Sequence, residues 1–188
     1  MRKIVVTEFM SLDGVIEAPG GAEVYQYSGW TIPYWDSEIA VVKNDELMAS
    51  DAQLLGRITY EGFAKAWPTM KGTGAFGEKM NSMAKFVVSS TLKEADWNNT
   101  TIITDHLVDE ITALKTQEGG DILVAGSPRL VQFLMQNKLV DQFNLLVYPV
   151  VLGIGKRLFD GVNKTDLKLM ETKSFATGVV LVRYQTIT

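Results

Sequence analysis

Short apolar runs alternate with helical stripes over the first two thirds of this chain, and the helical period then disappears; that pattern limits its fold more than any motif does. Ile4 to Met10 reads as a β-branched strand ending in the turn-rich Ser11-Leu12-Asp13-Gly14. Residues 17–34 have the composition of a long loop with its own aromatic anchors. Asp36 is placed to cap a helix that carries Ile39 and Val42 on one face to about Ser50, and Ala52 to Leu55 follows as a buried strand. Residues 57–66 read as a helix that Pro68 closes, and Phe76, Met80 and Met83 share the face of another. Phe86 to Val88 and Thr100 to Ile103 read as strands, and Leu107, Ile111 and Leu114 mark a helix stopped by Gly119-Gly120. Ile122 to Ala125 is another buried strand, after which Ser127-Pro128 supplies a cap and an N1 proline for a helix striped by Leu130, Val131 and Leu134. Beyond Leu139 only strands remain: Phe143 to Val151, Asp166 to Phe175, and Val179 to Tyr184. The prediction is an α/β fold, a mixed and mainly parallel sheet flanked by helices, closed by a C-terminal antiparallel hairpin. At 188 residues the chain suits a single domain, 1–188.

Composition removes several kinds of chemistry. No cysteine means no disulfide framework, no thiolate nucleophile and no Cys-ligated metal, and a single histidine, His106, rules out a multi-histidine cage. A formal charge of −4 is the wrong sign for tracking a phosphate backbone, so no nucleic-acid partner is expected. Arg2 and Lys3 precede too short an apolar run for a signal peptide, and no stretch reaches membrane-spanning length, so a cytoplasmic protein without a membrane partner is expected.

In a sheet of this kind, ligands bind beyond the carboxyl ends of the strands, where helix N-termini present free N–H groups. Three junctions qualify. Gly56-Arg57-Ile58-Thr59 combines a close-approach glycine, a forked cation and a hydroxyl. Ser89-Ser90-Thr91 offers three hydroxyls, and Gly126-Ser127 makes a tight turn onto a helix. Singly, each also reads as ordinary turn or cap chemistry. Together they suit a long dianionic ligand, with Lys93 the nearby cation for an extra phosphate.

These junctions, with Ser11-Leu12-Asp13-Gly14 and with Leu139-Val140-Asp141 after the last helix, resemble the dihydrofolate reductase superfamily. They resemble most closely stand-alone relatives of the C-terminal reductase domain of the bifunctional riboflavin-biosynthesis deaminase-reductase. The resemblance spans nearly the whole chain. It implies an NADPH-dependent oxidoreductase that passes a hydride to a pterin-like or ribosylaminopyrimidine-like heterocycle, and it implies a homodimer. It places Gly56, Arg57 and Thr59 at the cofactor phosphates, Ser89 and Ser90, with Thr91 beside them, near the adenosine 2'-phosphate, and Gly126 and Ser127 at the diphosphate turn. Where dihydrofolate reductases pair two glycines at the third junction, Ala125 precedes Gly126.

Hydride transfer also needs a proton source. Asp13 and Asp36 are the candidate catalytic acids, although Asp13-Gly14 also makes a good turn and Asp36 a good N-cap. Trp30 and Trp35 are candidates to stack on a substrate ring or to anchor their own loop. Gly72-Thr73-Gly74-Ala75-Phe76-Gly77 lacks a preceding strand and reads as a flexible loop, and Gly153-Ile154-Gly155-Lys156-Arg157 reads as a turn between strands. Two other readings compete with the reductase: an NADP(H)-binding module without turnover, and a hydrolase built on serine and His106.

Overall fold

The computed structural model describes residues 1–21 and 24–187. The strands are β1 (Ile4–Ser11), β2 (Ser50–Gly56), β3 (Ala84–Val88), β4 (Thr100–Ile103), β5 (Asp121–Val124), β6 (Gln142–Tyr148), β7 (Leu167–Ser174) and β8 (Val180–Thr186). The helices are α1 (Ser37–Met48), α2 (Arg57–Ala66), α3 (Gly74–Ser82), α4 (Leu107–Thr116) and α5 (Pro128–Gln136). Every element read from the sequence is present, most within two residues of its expected ends. One correction falls in the glycine-rich stretch after Met70: α3 starts at Gly74, inside the segment expected to be a loop. Packing of its buried Met80 face overrides the poor helix propensity of Gly74 and Gly77.

One eight-stranded sheet runs in the order β4-β3-β2-β5-β1-β6-β8-β7. The first six strands are mutually parallel, and β8 joins β6 antiparallel and carries β7 antiparallel on its outer side. Alternate residues face opposite sides, so each strand feeds two cores. On one face Ile4, Val6, Leu54, Ile122 and Val124 pack against Ile111 and Leu114 of α4 and Leu130, Val131 and Leu134 of α5. On the other, Val5, Leu55, Val87 and Leu123 meet Leu47, Tyr60 and Met80 of α1, α2 and α3. Burial on both faces is why the central strands read as nearly continuous apolar runs.

The apolar run from Leu145 to Leu152 is largely core. Leu145, Leu146 and Tyr148 are buried in β6 between β1 and β8. No helix among the described residues is long and apolar enough to cross a membrane.

Candidate functional site

The three junctions come together because their strands are neighbours. Gly56 pairs with Val88, so Arg57 and Ser89 leave the same edge side by side, and β5 flanks β2 on its other side. The first and third junctions interlock. A β-carbon on Gly56 would lie 2.2 Å from Ser127 Oγ, and one on Gly126 would lie 2.8 Å from Thr59 Oγ1. Gly126 also has φ +77°, in the region where glycine is favoured, and its peptide bond to Ser127 is cis.

Both helices that start here suit an anion. Among the described residues α2 and α5 have no side-chain cap; neither has an acidic residue in the first turn, and they carry Arg57 and Arg129 as their first and second residues respectively. Uncapped N–H groups at the positive end of a helix dipole, beside guanidinium groups, attract phosphate. Ser127, expected to cap α5 with its side chain, makes no such bond. Its hydroxyl instead fills the space that Gly56 leaves open. Arg57 is exposed and pairs with Glu61 at 3.0 Å. Ser89 is mostly committed locally, because its Oγ accepts the N–H groups of Thr91 at 3.2 Å and Leu92 at 2.9 Å. Ser90 and Thr91 are exposed on the same rim.

The sequence reading missed Glu8. Thr7 and Glu8 are adjacent in β1 and point to opposite faces. Thr7 Oγ1 donates to Glu46 Oε2 of α1 at 2.7 Å, whereas Glu8 Oε1 accepts the Gly126 N–H at 2.7 Å. The Gly126 N–H assigned by resemblance to a diphosphate therefore already serves a buried carboxyl. Burial pushes the Glu8 carboxyl up to about 8, against the lowering effect of the Gly126 N–H and Lys43. At neutral pH Glu8 keeps its proton, so an anion beside this turn meets no opposing charge. The only available signal was a lone acid within a β-branched strand.

Asp13 changes role. Its carboxylate accepts Ser11 Oγ at 2.7 Å and the N–H groups of Leu152 at 3.0 Å and Gly153 at 2.9 Å, and Arg157 lies 3.6 Å away. Desolvation works to raise its pKa, but the bonds from Leu152, Ser11 and Gly153 prevail and hold the carboxyl at about 2. A group so reluctant to bind a proton is a poor acid; it ties the loop after β1 to the loop after β6. Because its pKa is lowered on folding, Asp13 adds stability above the ordinary 3.8, and that stability is lost as pH falls towards 2. Asp13→Asn is expected to cost roughly 1–2 kcal/mol at pH 7, after allowance for solvent screening, and to flatten the acid limb below pH 4. Urea denaturation at pH 7 and at pH 2.5 reads both effects, and equal acid sensitivity of the two proteins would remove the clamp.

Asp36 is the N-cap of α1, its Oδ1 accepting the Ile39 N–H at 2.8 Å. The two tryptophans separate. Trp30 is buried, donates Nε1–H to Glu17 O at 2.9 Å and packs edge-on to Tyr148, so it anchors its loop and offers no face to a substrate. Trp35 is half exposed and edge-on to Phe9. Phe9 and Tyr34 in turn pack on Tyr148, whose buried hydroxyl has no partner among the described residues and is pushed upward in pKa by burial and Asp36.

Sheet order, helices on both faces and the antiparallel C-terminal pair define the class: an α/β domain of the dihydrofolate reductase-like fold. Within that class the chain belongs to the RibD C-terminal domain family, whose model matches residues 2–181. It is 33% identical over 187 residues to the uncharacterized protein YyaP of Bacillus subtilis, covering 97% of this chain and 94% of that protein. Among solved structures it is similar to a putative riboflavin biosynthesis protein from Shewanella sp. PV-4, with TM-score 0.74, 18% identity and 99% of each chain covered. A Thermotoga maritima diaminohydroxyphosphoribosylaminopyrimidine deaminase/5-amino-6-(5-phosphoribosylamino)uracil reductase matches with TM-score 0.69 and 15% identity, over 99% of this chain and 57% of that one. Enterococcus faecalis dihydrofolate reductase complexed with NADP(H) matches with TM-score 0.64 and 14% identity, over 99% and 97%.

Proposed function

We propose that this protein is an NADPH-dependent reductase that acts on a small heterocycle. The observation that carries the reading is the convergence of two interlocked, uncapped helix N-termini, each with an arginine in its first turn, on one sheet edge beside the Ser89 turn. The donor set fits a dinucleotide: Arg57, Arg129 and the first N–H groups of α2 and α5 would hold phosphates, Thr59 would add a hydroxyl, and Ser90, Thr91 and Lys93 would meet the adenosine end. The bound coenzyme supplies the hydride. The chain's own contribution is to fix that donor and to keep Glu8 neutral beside it. The resemblance assigns a homodimer to the same reading, and light scattering reads its stoichiometry.

Arg57→Ala is expected to weaken NADPH binding roughly ten- to hundredfold, the loss of one charge-assisted contact of about 1.5–3 kcal/mol. An unchanged dissociation constant in calorimetry would remove Arg57 from the site. Steady-state NADPH oxidation across a panel of pteridines and pyrimidines tests turnover. The competing binding-module reading draws on one observation, that the carboxylates of Asp13 and Asp36 are both engaged in structural bonds. Binding without acceleration by any member of the panel favours it.

A further inference from the structure

We infer that β7 is the surface through which two copies of this chain pair, strand against strand, about a two-fold axis between Leu169 and Met170. This names the surface of the homodimer that the reductase reading carries, and it needs no coenzyme. β7 ends the sheet, and among the described residues no strand lies on its outer side. An edge strand leaves outward N–H and C=O groups unpaired, and a second strand can meet them. Its side chains are open as well. Leu169 and Met170 are 51% and 54% exposed, and Lys168, Glu171 and Thr172 are exposed beside them.

A two-fold axis at such an edge pairs the two strands antiparallel, with opposite residues on the same face. In a regular strand, residues an odd number of positions apart face opposite sides, so Lys168 of one copy would not lie opposite Glu171 of the other. The register break in β7 changes this. Lys168 pairs with Gln185 of β8, and Glu171 pairs with Arg183. Gln185 and Arg183 are two positions apart and share a face, so Lys168 and Glu171 share it too, with Met170 falling in the break.

With the axis between Leu169 and Met170, Lys168 of each copy lies opposite Glu171 of the other, and Leu167 lies opposite Thr172. Asp166, just ahead of the strand, lies opposite Lys173. Edge lysines ordinarily discourage pairing. Here both lysines of β7 meet a carboxylate instead. Glu171 is held by Arg183 at 2.6 Å, which fixes it on the face where the incoming Lys168 arrives. Lys173 pairs with Glu38 at 2.8 Å, but both groups are largely exposed, so that bond is weak and leaves the ammonium open to a second acid. At the axis Leu169 and Met170 of the two copies come together. An apolar centre flanked by opposite charges is the layout of a specific interface.

Sedimentation equilibrium on the full chain, from about 1 to 100 µM, tests this. The expected result is a reversible dimer whose dissociation constant rises with salt. Lys168→Glu sets two pairs of like charges across the axis and should raise that constant roughly tenfold or more. Met170→Lys, acting at the apolar centre, should do the same. Adding Glu171→Lys to Lys168→Glu reverses both charges and should bring the constant down again by roughly threefold or more. Circular dichroism melts show that each variant is folded. A monomer throughout the range, a dimer indifferent to Lys168→Glu and Met170→Lys, or a charge-reversed variant as weak as Lys168→Glu alone would overturn the inference. NADPH affinity is read separately by calorimetry, because β1, β6 and β8 lie between the cradle strands and β7. A chain that pairs through β7 yet binds no NADPH would sink the reductase reading and leave the pairing standing.

Discussion

Glu8→Gln is expected to make the protein more stable by roughly 2–4 kcal/mol at pH 7. The folded chain holds the Glu8 proton up to about pH 8, whereas the unfolded chain releases it near 4.5. Folding at neutral pH therefore takes up a proton. The stability that Glu8 leaves intact below 4.5 is lost progressively as pH rises through that window. Glutamine keeps an oxygen for the Gly126 N–H and has no proton to lose, so its stability should be flat over the same range. Urea midpoints at pH 5, 7 and 9 give the comparison; parallel curves for the two proteins would mean that Glu8 is not the group described. The same change should act on coenzyme binding. Above pH 8 the wild-type turn acquires a negative charge next to the phosphate cradle and its affinity for NADPH should fall, whereas the variant should hold its affinity.

Gly56→Ala should disable the cradle from the other side. Its β-carbon would lie 2.2 Å from Ser127 Oγ and 3.0 Å from Ser127 Cβ, so the turn before α5 would have to move away from the start of α2. Overpacking of this kind costs about 1–3 kcal/mol, and if the two N-termini share one dianion as proposed, separating them should weaken coenzyme binding at least ~10-fold. The diagnostic result is rescue. Adding Ser127→Gly removes both clashing atoms, so the double variant should recover most of the stability and affinity that Gly56→Ala loses, a strongly non-additive pair. Additive losses would show that the two junctions do not touch.

Features governed by nearby residues were legible in the sequence. The Asp36 cap on Ile39, the helix from residue 57 to 66 and the N1 proline of α5 are written within four or five positions of where they act. The gathering of three junctions on one edge followed from strand alternation and right-handed crossovers. Partners far apart in the chain were not legible. Glu8 meets Gly126 across 118 positions and Asp13 meets Leu152 across 139, so one looked like an odd residue in a strand and the other like a turn. Ser127 shows the same limit: it was assigned the commonest local role of its type, a helix cap, whereas its hydroxyl fills the space that Gly56 leaves open. Of the two roles open to Trp30, the bond from its indole N–H to Glu17 O selects the loop anchor.

The strand order has a consequence for synthesis. β1 leaves the ribosome first, yet its two neighbours, β5 and β6, begin at Asp121 and Gln142. For more than a hundred residues of translation, Ile4, Val5 and Val6 have neither flanking strand and must be shielded or left idle. Nascent chains arrested before Asp121 are therefore expected to recruit holdase chaperones, and the late closure of so distant a pairing is expected to make refolding slow.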